Sequence, residues 1–157
     1  GRAFRWPAAT AAVAAVILAA ALTARDARDI VADDTPADQF AGAAHWLETH
    51  TPEGSLVFQT DWDDFTRLFF HNTHNVYTVG LDPTYLQRAD PTRYYLWVDI
   101  TQGRGLDVSD AIRKQFGADY VVSDLKHKAF LARAADDPQL KEVYRDENSV
   151  VFAVLDN

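Results

Sequence analysis

Three carboxylates in four residues, Asp61-Trp62-Asp63-Asp64, form the densest group in this chain that could do chemistry. Carboxylate oxygens are what hard cations take as ligands, so the run suits Mg²⁺ or Ca²⁺. It suits a helix start equally well, with Asp61 as N-cap and Asp63 and Asp64 set against the positive helix end. The capping role is the expected one. A second group is His71-Asn72-Thr73-His74-Asn75. Two imidazoles three apart on a helix could bind Zn²⁺, but Asn-Thr and His-Asn are turn pairs, and no Glu lies between the two His as in the metalloprotease motif. A structural pair is expected there. The third group sets Tyr85, Tyr94, Tyr95 and Trp97 among Asp82, Arg88, Asp90 and Arg93. Aromatic rings among charged groups can stack on sugars, and they also fill the space between a sheet and its helices. The candidate ligand-binding residues are therefore Asp61, Trp62, Asp63, Asp64, His71, His74, Asp82 and Tyr85, and no catalytic residue is assigned.

Several chemistries have no support. The chain has no Cys, which removes disulfides, thiolate metal sites and thiol catalysis. Gly103-Arg104-Gly105 lacks the third glycine and the strand-to-helix setting of a phosphate loop. No Gly-x-Ser-x-Gly elbow occurs. Lys and Arg number 15 against 23 Asp and Glu, a net charge of −8. Two of the Arg lie in residues 1–24, which hold no acid, so residues 25–157 carry 13 against 23, or −10. Such a surface repels nucleic acid and anionic headgroups alike.

The elements that must position these residues alternate between helix and strand. Thr35-Pro36 is a helix start, and Phe40, Ala43, Ala44 and Leu47 recur at helical spacing until Thr51-Pro52-Glu53-Gly54. Strands are expected at 55–59, 75–79 and 120–123, the last buried on both faces. Helices are expected at 61–70, 107–116 and 126–135, with two short ones between 82 and 102 opened by Asp82-Pro83 and Asp90-Pro91. Residues 142–144 and 150–155 should pair as a hairpin across Arg145-Asp146-Glu147-Asn148-Ser149. The fold class that follows is α/β: a partly parallel sheet flanked by helices, with a C-terminal antiparallel hairpin.

Residues 6–24 carry no charge and are long enough, as a helix, to approach the roughly 30 Å of a bilayer core. Arg2 and Arg5 precede them, which favours a cytoplasmic start and a domain outside. A signal peptide or a buried soluble helix would share the composition. The expected organisation is a transmembrane helix at 1–24, a polar linker at 25–35 and an extracytoplasmic domain at 36–157. With no Met in the chain, Gly1 reads as a cut within a larger protein whose last span this is.

Four stretches carry a family resemblance: Phe40-Ala41-Gly42-Ala43-Ala44-His45-Trp46-Leu47, Thr51-Pro52-Glu53-Gly54-Ser55-Leu56-Val57-Phe58, Gly117-Ala118-Asp119-Tyr120-Val121-Val122 and Val143-Tyr144-Arg145-Asp146-Glu147-Asn148-Ser149-Val150-Val151-Phe152. In this order they resemble the C-terminal extracytoplasmic domain of polytopic membrane glycosyltransferases of the GT-C class, akin to oligosaccharyltransferases and protein mannosyltransferases. Trp62-Asp63 matches the centre of the Trp-Trp-Asp-Tyr-Gly motif that holds acceptor peptide, with Asp61, Asp64 and Phe65 at the remaining places. The resemblance implies a lipid-linked sugar donor and catalytic carboxylates in an early loop outside this chain. A divalent cation (Mg or Mn) could act in the intact protein. The expected role is an accessory domain that handles donor or acceptor and packs on its own membrane domain. A membrane-anchored module for a small ligand and a purely structural contact domain are the other two classes.

Overall fold

The computed structural model describes residues 5–32, 36, 38–105 and 107–155. Two compact units divide after Pro36. The first is helix α1, Arg5–Ala32. Its segment Ala9–Asp29 is apolar and long enough to cross a membrane, and none of it is buried against protein. The helix runs on through the segment expected to be a linker. Arg25, Asp26, Arg28 and Asp29 interrupt the apolar run, but no Gly or Pro interrupts the backbone hydrogen bonding. The expected N-cap Thr35 lies outside the described residues.

The second unit begins with a turn and α2, Ala41–His50, so the helix starts later than Pro36. Then come β1 (Leu56–Gln59), α3 (Phe65–His71), β2 (Val76–Tyr77), α4 (Thr84–Ala89), α5 (Pro91–Thr101) and α6 (Val108–Ala111). The last runs on as a π-helical turn, Ile112–Phe116, which Gly117 ends in the left-handed conformation at φ 74°. β3 (Tyr120–Asp124), α7 (Lys128–Asp136), β4 (Leu140–Arg145) and β5 (Ser149–Val154) complete the chain. The five strands form one mixed sheet in the order β2-β1-β3-β5-β4. β1 runs parallel to both β2 and β3. β5 is antiparallel to β3 and to β4, so the expected C-terminal hairpin closes one edge.

Side chains alternate across a strand, and two cores result. On one face Val57, Val122 and Val151 meet Phe40, Ala43 and Leu47 of the α2 region and Leu68 of α3. On the other, Phe58, Val121, Val150 and Phe152 meet Trp97 and Ile100 of α5, Ile112 and Phe116 of the π-helical turn, and Phe130 of α7. Val121 and Val122 are both buried, as a strand covered on two faces requires.

The position of the site follows from this topology. The chain leaves β1 toward the α2–α3 face and moves outward to β2. It leaves β3 toward the opposite face through α7 and moves outward the other way. Loops that diverge from neighbouring parallel strands open a crevice beyond their carboxyl ends. Here those ends are Gln59 and Asp124.

Candidate functional site

At the end of β1 the Gln59 side chain is fully buried and finishes the sheet edge. Its Oε1 accepts from Thr78 N at 3.0 Å, and its Nε2 donates to the Val79 carbonyl. Trp97 Nε1 donates to the Gln59 carbonyl at 3.0 Å. Thr60 continues alongside β3: its N–H donates to the Val122 carbonyl at 3.2 Å and its hydroxyl to Ser123 Oγ at 2.8 Å. These bonds fix where Asp61 leaves the sheet, beside Asp124.

Asp124 organises the other loop. Its Oδ1 accepts from Lys126 N at 3.0 Å, from His127 N at 3.0 Å and from the His127 ring Nδ1 at 2.6 Å. The ring's other nitrogen, Nε2, lies 3.5 Å from Asp61 Oδ2. Asp64, just before α3, is only 6% exposed. Its side chain makes no capping hydrogen bond. The charges that act on it are those of Asp124, Asp61, Asp63 and His127.

The electrostatics follow from burial and neighbours. Burial, reinforced by the charges of Asp124, Asp61 and Asp63, pushes Asp64 up to about 7. Burial and Asp63 also raise Asp61. Burial is the largest influence on Asp124 too, but the bonds and charge of His127 outweigh it and hold this carboxyl below its ordinary range. The bond to Asp124 raises His127 against the cost of its own burial. The crevice thus contains a charged Asp124–His127 pair and, in Asp64, a carboxyl that keeps its proton to near neutrality. Together they can accept hydrogen bonds from a polar ligand and exchange protons with it.

The expected site residues separate into two sets. Asp61 meets His127 at the crevice and Asp64 is buried just before α3, while Trp62, 40% exposed, lies in the loop between them with Asp63. Asp61 does not cap α3, because a turn carries the helix start on to Phe65. Its Oδ1 instead accepts a long bond of 3.5 Å from Asp63 N. His71 and His74 are used separately. His71 stacks edge-on against Phe70 at 5.0 Å, and His74 Nε2 lies 2.8 Å from the Thr51 carbonyl. Asn72 and Asn75 knit the turn around them. Asp82 Oδ1 accepts from Thr84 N at 2.8 Å as α4 begins, and Tyr85 is largely exposed. Among the described residues no hydrogen bond or ion pair joins Asp82 or Tyr85 to the crevice. Among the same residues, no three Asp, Glu or His side chains converge closely enough to hold a metal ion.

Asp124 and His127 are the residues that sequence reading missed. Asp124 follows the strand expected at 120–123, and His127 falls within the helix expected at 126–135. The available signal was an Asp and a His three apart, directly after a doubly buried strand. A cavity of about 510 Å³ lies elsewhere, lined by residues that include Ser109, Arg133 and Asp137. Three of its polar side chains are already engaged: Asp137 accepts from Ser109 N and Oγ at 3.0 Å each, and Arg133 Nη2 donates to the Gly105 carbonyl at 2.6 Å. Volume and chemistry therefore point to different places, and we follow the chemistry, since satisfied groups have little left to offer a ligand. In comparison with known proteins, the chain matches no family, no curated protein and no solved structure.

Proposed function

We propose that this chain is the membrane-anchored extracytoplasmic α/β domain of a glycosyltransferase-like membrane protein, and that its β1/β3 crevice holds a polar group of a lipid-linked sugar or of the acceptor. The observation that carries this reading is the chain of contacts from Asp61 through His127 to Asp124 where the loops after β1 and β3 diverge, with Asp64 buried at the start of α3. The unburied apolar helix supports attachment to a bilayer, and Arg2 and Arg5 ahead of it support a cytoplasmic start. The strong negative charge supports a ligand part other than phosphate. In this reading the domain binds and positions, while the chemical step belongs to the membrane part of the protein.

Amide NMR on the full chain in detergent micelles tests the crevice, with mannose and glucose as probes. The expected result is shifts grouped at residues 60–65 and 124–128. Shifts confined to other elements, or none at saturating sugar, contradict the reading. A reporter active only in the cytoplasm, fused after Asn157, should be silent, and strong activity would refute the orientation.

A further inference from the structure

We propose that an apolar rim at the β2 edge of the sheet, made of Phe69 and Phe70 of α3 with Leu81 and Tyr85, dips into the surface of the bilayer that α1 enters. The inference rests on α1 being a membrane anchor and adds a second point of contact. Among the described residues, seven of the eight large hydrophobic side chains exposed on the second unit lie between residues 62 and 95. Phe65 ties the rim together. Its ring stacks on Phe69 with centroids 5.4 Å apart and stands edge-on to Tyr77 at 6.0 Å. It also lies so close to Gly80 that a Cβ there would be 3.3 Å from its Cζ. The small residue is thus used for packing, and the left-handed turn falls on Leu81 instead, at φ 44°. The Asp82 N–H closes that turn onto the Gly80 carbonyl at 2.5 Å, and Tyr85 N–H follows onto the Asp82 carbonyl at 3.2 Å. A bulky residue is an outlier in this conformation, and such strain clusters at sites of recognition. Phe70 is 80% exposed, Tyr85 72% and Leu81 64%, so packing within the domain does not account for them.

Tether length and charge decide what covers the rim. Residues 33–39 join the end of α1 to Phe40, and a chain of that length reaches at most about 30 Å. An anchored α1 therefore keeps the second unit beside its own bilayer at high effective concentration, and a weak contact suffices. The local charge agrees. Helices α3 and α4 hold Arg67, His71 and Arg88 and no Asp or Glu, within a segment 25–157 whose net charge is −10. Asp82 between them accepts from Thr84 N at 2.8 Å, and the acids before α3 lie at its end away from Phe70. The rim is thus spared much of the repulsion that this acidic surface would meet at headgroups. Two other occupants fit less well. A second copy would bring another −8 against the first. A stable protein interface takes about 800 Å² from each partner, and four such side chains expose only a few hundred.

The chain has no Cys, so one introduced thiol can carry a bimane label alone. Three labelled forms of the full chain serve the test: Thr73→Cys, exposed just after α3; Lys141→Cys, on β4 at the opposite edge of the sheet; and Val16→Cys, within α1. Each is placed in phosphatidylcholine vesicles whose acyl chains are brominated, since bromine quenches the label on contact. The label in α1 should be strongly quenched, and the label at position 73 should be quenched at least about twofold more than that at 141, as for a side chain at the lipid interface. Phe70→Ser with Leu81→Ser, both at exposed positions, should bring position 73 down to the level of 141 and leave position 16 unchanged. Quenching at 16 with equal, low quenching at 73 and 141 overturns the rim and leaves the anchor standing. No quenching at 16 overturns the anchor and the rim with it. Quenching at 73 that survives the double variant overturns the rim. A label at 73 that responds to the density of chains rather than to bromine places a second copy there and overturns it as well.

Discussion

His127 Nε2 lies 3.5 Å from Asp61 Oδ2, so one imidazole spans the carboxyl ends of β3 and β1. The two residues are far apart in the chain and meet only because Val57, Phe58 and Gln59 pair in parallel with Tyr120, Val121 and Val122. That register sets Thr60 beside Ser123 and the following residues beside Asp124. The loops then fix the rest. Three hydrogen bonds into one carboxylate oxygen of Asp124 hold the ring in place.

The first prediction concerns pH and stability. A buried acid that is raised on folding binds its proton more tightly in the native state, so its contribution is greatest below the unfolded range and declines as pH rises toward the folded value. Asp64, raised to about 7, therefore makes the chain less stable between about pH 4 and 7. His127, also raised, loses its contribution in the same direction at the upper end of that window. Asp64→Asn should be more stable than wild type at pH 8 by roughly 2 to 4 kcal/mol and should show a flatter pH profile. Urea unfolding at several pH values measures this, and identical profiles would contradict it.

The second concerns the Asp124–His127 pair. Asp124→Asn keeps an oxygen that can accept from Lys126 N and His127 N but removes the charge that favours the imidazolium. His127 should then titrate lower than in the wild type, since burial is opposed only by the charges of Asp61 and Asp64. Proton–carbon NMR of the ring reads this directly, and an unchanged midpoint would count against the pair. Asp124→Ala should cost more, about 0.5 to 2 kcal/mol, as lost caps do.

Much of this architecture was legible from the chain. Alternating elements, the Asp-Pro helix starts, Gly117 as a helix stop and the turn between β4 and β5 all act locally, so residue types reveal them. The register that joins Asp61 to His127 is not local, and no spacing in the sequence encodes it. The helical form of residues 25–32, within the expected linker, was not legible for a different reason. Charged residues break an apolar pattern without breaking a helix, and α1 continues to Ala32. Asp61 was expected to cap the next helix, but three further residues intervene before Phe65.

The third prediction addresses packing of α2 on the hairpin. A Cβ at Gly42 would collide with the Tyr144 hydroxyl and stand 2.9 Å from Asp146 Oδ2. That hydroxyl donates to Asp146 at 2.9 Å, so it has little freedom to move. Gly42→Ala should destabilise the chain by about 1 to 3 kcal/mol, the usual cost of overpacking. Adding Tyr144→Phe should recover part of the loss. A neutral Gly42→Ala would show that the contact yields easily.

The fourth concerns α1. Val13, Val16, Ile17, Leu18 and Leu22 are all more than half exposed in this chain. A membrane is the environment that would cover them. Val16→Asp with Leu18→Arg places two charges at the centre of the span, each costing about 2.5 to 3.5 kcal/mol on insertion. The wild-type chain should sediment with membranes and resist alkaline carbonate, and the double variant should become extractable. Equal behaviour of the two would remove the case for an anchor.

The central claim is that Asp61, Asp124 and His127 meet where the loops after β1 and β3 diverge, with Asp64 buried beside them and its proton held to near neutrality. The most direct measurement is a carbon-detected NMR titration of the Asp64 carboxyl in the full chain, assigned through Asp64→Asn. The account predicts a midpoint near 7, moving down when Asp124 is replaced by Asn. A midpoint near the ordinary 3.8, unmoved by Asp124→Asn, would contradict it.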